Sequence, residues 1–357
     1  MTARPRLTRR RFLRLAAIAG LGAALVAADR ATQPFGLARL TYWGARGRAQ
    51  ELTGKPATVG LARCPSYDDA LPCLRELWRQ SAMPDVVGKR VLVKPNLIDV
   101  IEGRPVTTSP AVVAAVLDIL AEMGAGEVIV GDGPGFRRDA WPVVEASGLA
   151  QVLSERRTRF VDLNYDSCRP VAAPGAWFLK ERQVWLPRHV LEADLIVSVP
   201  KLKTHHWAGV SLSLKNLFGI VPGSRYGWPK NMLHINGIPL SILGLYEIVR
   251  PVVAVVDGVV GMEGDGPLFG SAVPHELLAV GADPVAVDTV CAGLMGYALE
   301  EVYHLFLADW AGVGQGKKIE TRGAIVDSMR RSYARPPAAG SAPERQGARP
   351  QGGVAGS

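Results

Sequence analysis

Short apolar runs recur along the chain, and each is followed at once by polar or glycine-rich residues. The clearest run, Leu195–Val199, ends at Pro200, whose nitrogen carries no hydrogen and cannot donate to a neighbouring strand. Runs of this length are typical of strands that are buried on both faces of a sheet. We therefore expect the core to be built on several buried strands, with the polar chemistry in the segments that follow them.

Segments with helical spacing separate these runs. Ser109 precedes Pro110 at the start of one apolar helix, an arrangement that caps a helix and fixes its first turn. Strands are predicted at 57–61, 90–93, 127–130, 159–163, 195–199, 252–256 and 277–280, and helices at 67–80, 110–123, 141–153, 240–249 and 284–296. This alternation indicates an α/β fold: a mainly parallel sheet with flanking helices, whose glycine-rich strand-end loops form one crevice.

The N-terminus has the composition of an export signal. Arg9 and Arg10 precede an apolar, Gly/Ala-rich run over 15–28, which is shorter than the roughly 20 residues of a membrane-spanning helix. Residues 1–28 resemble a Tat (twin-arginine) signal, and an ordinary buried helix is the alternative. The resemblance implies the Tat export machinery as a partner and a periplasmic or other extracytoplasmic location. Membrane tethering is expected only if the signal stays uncleaved.

The basic residues are concentrated at the two ends of the chain. The formal net charge is +8, yet residues 1–28 carry six Arg and no acid, and residues 330–357 carry a net +4, so the part between them carries −2. The basic balance therefore does not indicate nucleic-acid binding. We predict a linker at 29–56, the α/β domain in one or two lobes at 57–308, a C-terminal extension at 309–329 and a disordered tail at 330–357.

The four cysteines lie far apart in the sequence, at Cys64, Cys73, Cys168 and Cys291. Without a C-x-x-C pair, neither an iron–sulfur cluster nor a structural zinc site is expected. Cys64 and Cys73 could pair as a disulfide in an oxidising compartment or remain free thiols, and the sequence leaves both open.

Polar side chains follow several of the predicted strands. The carboxyl ends of parallel strands meet at one edge of a sheet, where α/β proteins place their ligands. Any one of these residues can be an ordinary loop or capping residue, but the set as a whole predicts a shared crevice. The residues expected to bind a substrate are Lys94, Asn96, Asp132, Lys201, Lys203, Asn216 and Asp257.

Histidines stand beside lysines in the segment after the central strand. His205 and His206 follow Lys203, Lys215 comes ten residues after His205, and His234 lies farther along in a glycine-rich segment. Imidazoles in such surroundings serve as ligands or proton-transfer groups. We expect His205 to act as an acid or base and Lys215 to bind a carboxylate or phosphate.

Five motifs follow one another along the chain: VLVKPNL, VGDGPG, PKLKTHHWAGVSLSLKNLFGIVPG, VVDGVVGMEGDGPLFG and VGADPVAVD. Over about residues 57–308 they resemble the DUF362 family, a domain of unknown function. The family name implies no reaction.

The run His205-x-x-Ala208-Gly209-x-Ser211-x-x-x-Lys215, followed by Ile220-Val221-Pro222-Gly223, is similar to a segment of lactate racemase-like proteins, which use a nickel pincer nucleotide. The similarity implies His205 as a proton-transfer base, Lys215 as a covalent anchor of a nucleotide-derived cofactor and His234 as a metal ligand. Ser213 and Leu214 stand where that group has a glycine pair before the lysine.

Two functions follow from these observations. The first is an exported enzyme that acts on a small anionic substrate, a carboxylate or a phosphate, with His205 and Lys215 as its catalytic residues. The second is a non-catalytic protein that binds an anion or a metal in the same crevice.

Overall fold

The computed structural model describes residues 36–136 and 139–337, together with Ala24 and Ala27. The predicted export signal therefore lies outside the described residues, apart from these two alanines, and so does the predicted tail beyond residue 337. In the part of the chain that is described, no helix combines the length and the apolar character that crossing a membrane requires.

Strands and helices alternate along the chain as the apolar runs predict. The strands are β1 (Ala57–Arg63), β2 (Arg90–Pro95), β3 (Glu127–Asp132), β4 (Arg159–Asp162), β5 (Cys168–Ala172), β6 (Gln183–Pro187), β7 (Leu195–Val199), β8 (Lys201–His205), β9 (Gly209–Ser211), β10 (Val252–Glu263), β11 (Ser271–Gly281) and β12 (Ile319–Gly323). The helices are α1 (Leu37–Thr53), α2 (Ala70–Gln80), α3 (Pro110–Glu122), α4 (Trp141–Ala146), α5 (Leu149–Glu155), α6 (Arg188–Glu192), α7 (Ser213–Asn216), α8 (Gly223–Tyr226), α9 (Asn231–Ile235), α10 (Ile238–Val249), α11 (Pro284–Leu294) and α12 (Tyr303–Trp310).

One large sheet organises the molecule. Its strand order is β12-β1-β11-β10-β7-β2-β3-β4, with β8 against β10 and β9 against β8. The run from β10 through β7, β2 and β3 to β4 is parallel, and β11 is antiparallel to both of its neighbours. The α/β fold with a mainly parallel sheet is therefore confirmed. Strands β5 and β6 form a separate hairpin.

The sheet divides the hydrophobic core into two layers. Side chains alternate between the faces of a strand, so in β7 Ile196 packs into one cluster while Val197 packs into the other. Helices α2 and α3 cover one face, and α10, α11 and α12 cover the other. Burial on both faces explains why the central strands are continuous apolar runs.

Two segments, one predicted as a linker and the other as the start of a disordered tail, pack against the domain. Helix α1 lies within the predicted linker, and its Trp43 is fully buried and stacked on Trp177 with ring centroids 4.8 Å apart. In the first part of the predicted disordered tail, Tyr333 is 5% exposed and its hydroxyl lies 2.9 Å from Nδ1 of His275. Large aromatic residues anchor both segments, a signal that composition alone does not reveal.

Two segments predicted as loops are strands. Pro200 separates β7 from β8, and β8 continues beside the extended strand β10, where Lys201 pairs with Asp257. Strand β10 runs to Glu263 and turns into β11 at Ser271, so the glycine-rich stretch after Asp257 is largely a hairpin. Backbone pairing with a neighbouring strand, rather than an apolar side-chain pattern, holds these segments.

Cys64 and Cys73, whose pairing the sequence left open, are both free thiols in this structure, and each Sγ donates to a backbone carbonyl, that of Ser66 for Cys64 and that of Arg63 for Cys73.

Candidate functional site

A cavity of about 100 Å³ lies beyond the carboxyl ends of β2 and β3, against β8 and α7. Seven of the residues predicted from the sequence line it: Lys94, Asn96, Asp132, His205, Lys215, Asn216 and His234. His205 and Lys215, the predicted catalytic residues, therefore share one cavity.

Three other predicted substrate-binding residues do not reach the cavity. Lys201 lies in a buried ion pair, with its Nζ 2.9 Å from Asp257 Oδ2 and 2.7 Å from the Tyr67 hydroxyl. Lys203 donates to the backbone carbonyl of Val106 at 2.7 Å. Because β8 is extended, Lys201 lies about 13 Å before His205 along the strand. A position that directly follows a strand is therefore not enough to place a side chain in the site.

The ammonium group of Lys94 is held in place by three hydrogen bonds within the protein. Its Nζ lies 2.6 Å from Asp132 Oδ1, 2.8 Å from the carbonyl of Pro95 and 3.0 Å from Asn216 Oδ1. An ammonium group has three N–H donors, so none remains for a ligand. Burial lowers the pKa of Lys94 and the charge of Asp132 opposes that change. Lys94 thus contributes positive potential rather than a direct contact.

Asp132 is also committed to the protein. Beyond Lys94, its carboxylate accepts hydrogen bonds from the backbone N–H groups of Leu97 at 2.7 Å and Gly133 at 2.8 Å. Among the lining residues that the structure describes, Asp132 is the one carboxylate. The cavity therefore has an excess of cationic groups.

Asn96 and Asn216 differ in whether a side-chain hydrogen-bonding atom remains available to a ligand. Asn216 accepts from Lys94 and Asn96 through Oδ1, and its Nδ2 donates to the carbonyl of Lys94 and to Ser198 Oγ, both at 3.1 Å. Asn96 donates to Asn216, but its buried Oδ1 has no hydrogen-bond partner within the described part of the chain. A buried acceptor without a partner is costly, so Asn96, unlike Asn216, has an atom available to accept a hydrogen bond from a ligand.

Lys215 carries the available amine. No described residue accepts a hydrogen bond from its Nζ, which instead lies 4.0 Å from the centre of the Phe218 ring. Burial, reinforced by the charge of Lys94, lowers the pKa of Lys215 to about 7. At neutral pH this amine exists in both its protonated and its neutral form, so it can donate or accept a proton.

Asp288 fixes the short helix that presents Lys215. Its carboxylate accepts from the backbone N–H groups of Ser213 and Leu214, each at 2.9 Å, and from the Ser213 hydroxyl. Burial raises the pKa of Asp288 to about 7. Asp288 is therefore a positioning residue for Lys215.

His205 has one ring nitrogen committed to the backbone. The N–H groups of Trp207 and Ala208 donate to Nδ1 at 3.1 and 3.4 Å, so the neutral ring carries its proton on Nε2. Burial and the charge of Lys215 hold the pKa of His205 well below its usual value. At neutral pH the ring can thus donate a hydrogen bond from Nε2, which differs from the base role that the resemblance implies.

The opposite tautomer is favoured at two nearby histidines. His206 Nδ1 lies 2.9 Å from the carbonyl of Gly266, and His234 Nδ1 lies 3.3 Å from that of Lys230. Each Nδ1 must donate, so each neutral ring keeps a lone pair on Nε2. Burial lowers the pKa of His234.

Lys230 belongs to the site although the sequence interpretation overlooked it. It is 2% exposed, and its Nζ donates to the carbonyls of Gly133 at 2.6 Å and Phe218 at 3.0 Å. Its backbone has a φ of 68°, and burial lowers the pKa of its amine to about 7. A lysine one helical turn before His234, in a segment rich in Gly, Pro and Trp, was the available signal.

Comparisons with known proteins place the chain in a family. The model of the DUF362 family, described as a domain of unknown function, matches residues 91–293. The chain belongs to the DUF362 family. A thylakoid-associated protein from Synechocystis sp. is 31% identical over 246 residues, covering 67% of this chain and 74% of that protein.

Two solved structures resemble this DUF362 protein at low similarity. The lactate racemase apoprotein from Thermoanaerobacterium thermosaccharolyticum matches with a TM-score of 0.43 and 16% identity, over 70% of this chain and 58% of that chain. A protein from Thermotoga maritima matches with a TM-score of 0.32 and 13% identity, over 58% of this chain and 53% of that chain. The DUF362 chain spans a little over half of each, and likenesses this distant carry no argument about a reaction or cofactor.

The described part of the DUF362 chain lacks a group of side chains suited to hold a metal ion. His234 lines the cavity, but within residues 36–136 and 139–337 no three His, Cys, Asp or Glu side chains are grouped so that they could hold a metal ion. His205 has in addition committed its Nδ1 to backbone donors. The described residues therefore do not fit a metal held by side chains alone.

Proposed function

We propose that this DUF362 protein is an exported enzyme that moves a proton on a small organic anion, a carboxylate or a phosphate ester. The observation that carries the proposal is the amine of Lys215, which has no hydrogen-bond acceptor among the described residues and lies in the same cavity as the Nε2–H of His205. An amine with a pKa of about 7 suits proton transfer, since efficient catalytic groups titrate near the working pH.

The two catalytic groups have different roles in this proposal. Neutral Lys215 accepts the proton from the substrate and returns it as an ammonium group. His205 donates a hydrogen bond from Nε2 to the oxygen on which negative charge develops, and its backbone partners hold it in that tautomer. His205 thus stabilises charge without titrating.

The charge balance of the cavity favours an anionic substrate. Lys94 supplies a fixed positive charge, and Lys230 uses two donors on carbonyls and retains a third in its ammonium form. The carboxylate of Asp132 is spent on Lys94 and two backbone groups. An incoming carboxylate or phosphate therefore meets cationic donors with little competition.

A non-catalytic anion-binding protein is the second candidate. The observation that favours it is the locked Nδ1 of His205, because a neutral ring in that tautomer donates a hydrogen bond as readily to a resting anion as to a reacting one.

Hydrogen–deuterium exchange separates the two functions. The protein is incubated in D₂O with small 2-hydroxy, 2-keto and phosphorylated carboxylates, and loss of C–H signals is followed by NMR. We expect exchange on at least one anion with the wild type and a loss of at least about 100-fold with Lys215→Met. Binding of the anions without exchange on any of them would leave the binding protein as the function.

The proposal of export rests on the twin arginine. We expect Arg9→Lys with Arg10→Lys to retain the protein in the cytoplasm of a host that has the Tat pathway, as cell fractionation would show. Unchanged export of this variant would contradict a Tat signal.

A further inference from the structure

Two large aromatic side chains stand exposed at the opening of the cavity. Phe136 is 57% exposed and Trp207 is 58% exposed, and both line the cavity. Single exposed apolar residues are ordinary on a protein surface. Two at the entrance of a site, which we name the aromatic rim, form a surface that a ligand crosses or contacts.

Trp207 of the aromatic rim is held in place by its neighbours. Its ring packs edge-on against His206 at 4.6 Å and against His234 at 5.3 Å between centroids. His206 is in turn fixed by the carbonyl of Gly266. The indole is therefore preorganised, yet more than half of its surface is exposed to solvent.

Polarity changes from the aromatic rim to the interior of the cavity. Phe218 is only 8% exposed and extends the apolar surface inward to the amine of Lys215. The buried part holds the groups that suit an anion, namely Lys215, Lys230 and the positive potential of Lys94. A ligand that fits both regions is anionic at one end and apolar at the other.

The size of the cavity supports a ligand that extends beyond it. At about 100 Å³ the cavity is well below the roughly 300–1,000 Å³ of sites that enclose a drug-sized ligand. It therefore encloses an anionic head, and any longer part of the ligand must lie against Phe136 and Trp207.

We propose that the ligand is an amphipathic anion, whose carboxylate or phosphate lies among the lysines and whose alkyl or aryl part packs on the aromatic rim. The inference rests on the proposed function and names the class of its substrate. Burial of one methylene on the rim contributes an affinity gain of about three- to fourfold.

Calorimetric titration of the full-length protein with two homologous series tests the inference. The probes are acetate, butyrate and hexanoate, and methyl, butyl and hexyl phosphate. In the wild type we expect the dissociation constant to fall by about three- to fourfold per methylene in at least one series. Trp207→Ser and Phe136→Ser should each reduce that dependence on chain length.

Ile325→Ser is the matched control, because Ile325 is 74% exposed and does not line the cavity. This variant should keep the dependence on chain length. If the shortest anions bind but affinity does not grow with the chain, the inference is overturned and the proposed function stands. If no anion binds, both the inference and the proposed function are overturned. If the rim variants lose binding to anionic lipid vesicles but keep the chain-length dependence, the rim contacts a membrane instead.

Discussion

Residues of one type have different roles in the cavity because their partners differ. Lys94 has three acceptors and no free donor, Lys230 has two acceptors, and Lys215 has none among the described residues. Donor availability is therefore the reason that the proposed function assigns reaction to Lys215, binding to Lys230 and a supply of positive charge to Lys94.

The depressed pKa values of Lys215 and Lys230 make stability depend on pH. Both amines titrate near 7 in the folded state and near 10.5 in the unfolded state, so the unfolded chain binds more protons between these values. The free energy of unfolding should therefore rise from pH 7 towards 10, by up to about 1.4 kcal/mol per unit for each amine.

Urea unfolding at pH 7, 8 and 9 measures this dependence. Lys215→Met should show a shallower rise than the wild type, and Lys55→Met, which replaces an exposed lysine, should match the wild type. Equal slopes in all three proteins would show that Lys215 keeps an ordinary pKa when folded.

At the residue scale the sequence predicts which side chains lie at the cavity better than it predicts which hydrogen-bond donors are free. Lys94, Asp132 and His205 reach the cavity because each lies at or near the carboxyl end of a strand. Lys201 occupies a similar position, yet its amine hydrogen-bonds to Asp257 and Tyr67 instead of reaching the cavity. Hydrogen-bond partners come from segments far apart in the chain, so a sequence pattern does not show which donors are free.

At the scale of single elements, apolar runs predict the central strands well. Strand β7 has the predicted bounds, and the predicted helix at 141–153 is present but divided into α4 and α5 at Gly148, whose φ of 81° does not continue a helix. The segment that forms β8 was predicted as a loop. Its lysines interrupt the apolar pattern, and the strand that it pairs with, the extension of β10, is distant in the sequence.

The short helix α7 depends on one buried carboxylate. In Asp288→Ala the backbone N–H groups of Ser213 and Leu214 lose their acceptor, which should lower the free energy of unfolding by about 2–4 kcal/mol in urea titrations. Asp288→Asn keeps one oxygen acceptor and should lose less. Equal losses in the two variants would mean that packing, rather than these hydrogen bonds, fixes α7.

At the scale of the whole molecule, the sheet and the site have one origin. Parallel strands buried on both faces bring their carboxyl ends to a common edge, and the cavity lies where β2, β3 and β8 approach it. The sequence predicts this architecture because the apolar runs impose it. It does not predict the anchoring of α1 through Trp43, since one buried aromatic residue leaves no periodic pattern.

The central claim is that Lys215 carries a reactive neutral amine in a cavity that accepts anions. Competitive acylation with trace acetic anhydride from pH 6 to 10, read for each lysine by peptide mass spectrometry, measures it directly. We expect the reactivity of Lys215 to titrate near pH 7 and to decrease strongly when hexanoate or hexyl phosphate is added, while neither anion changes the reactivity of exposed Lys55. Titration of Lys215 near pH 10, or no protection by either anion, would contradict the account.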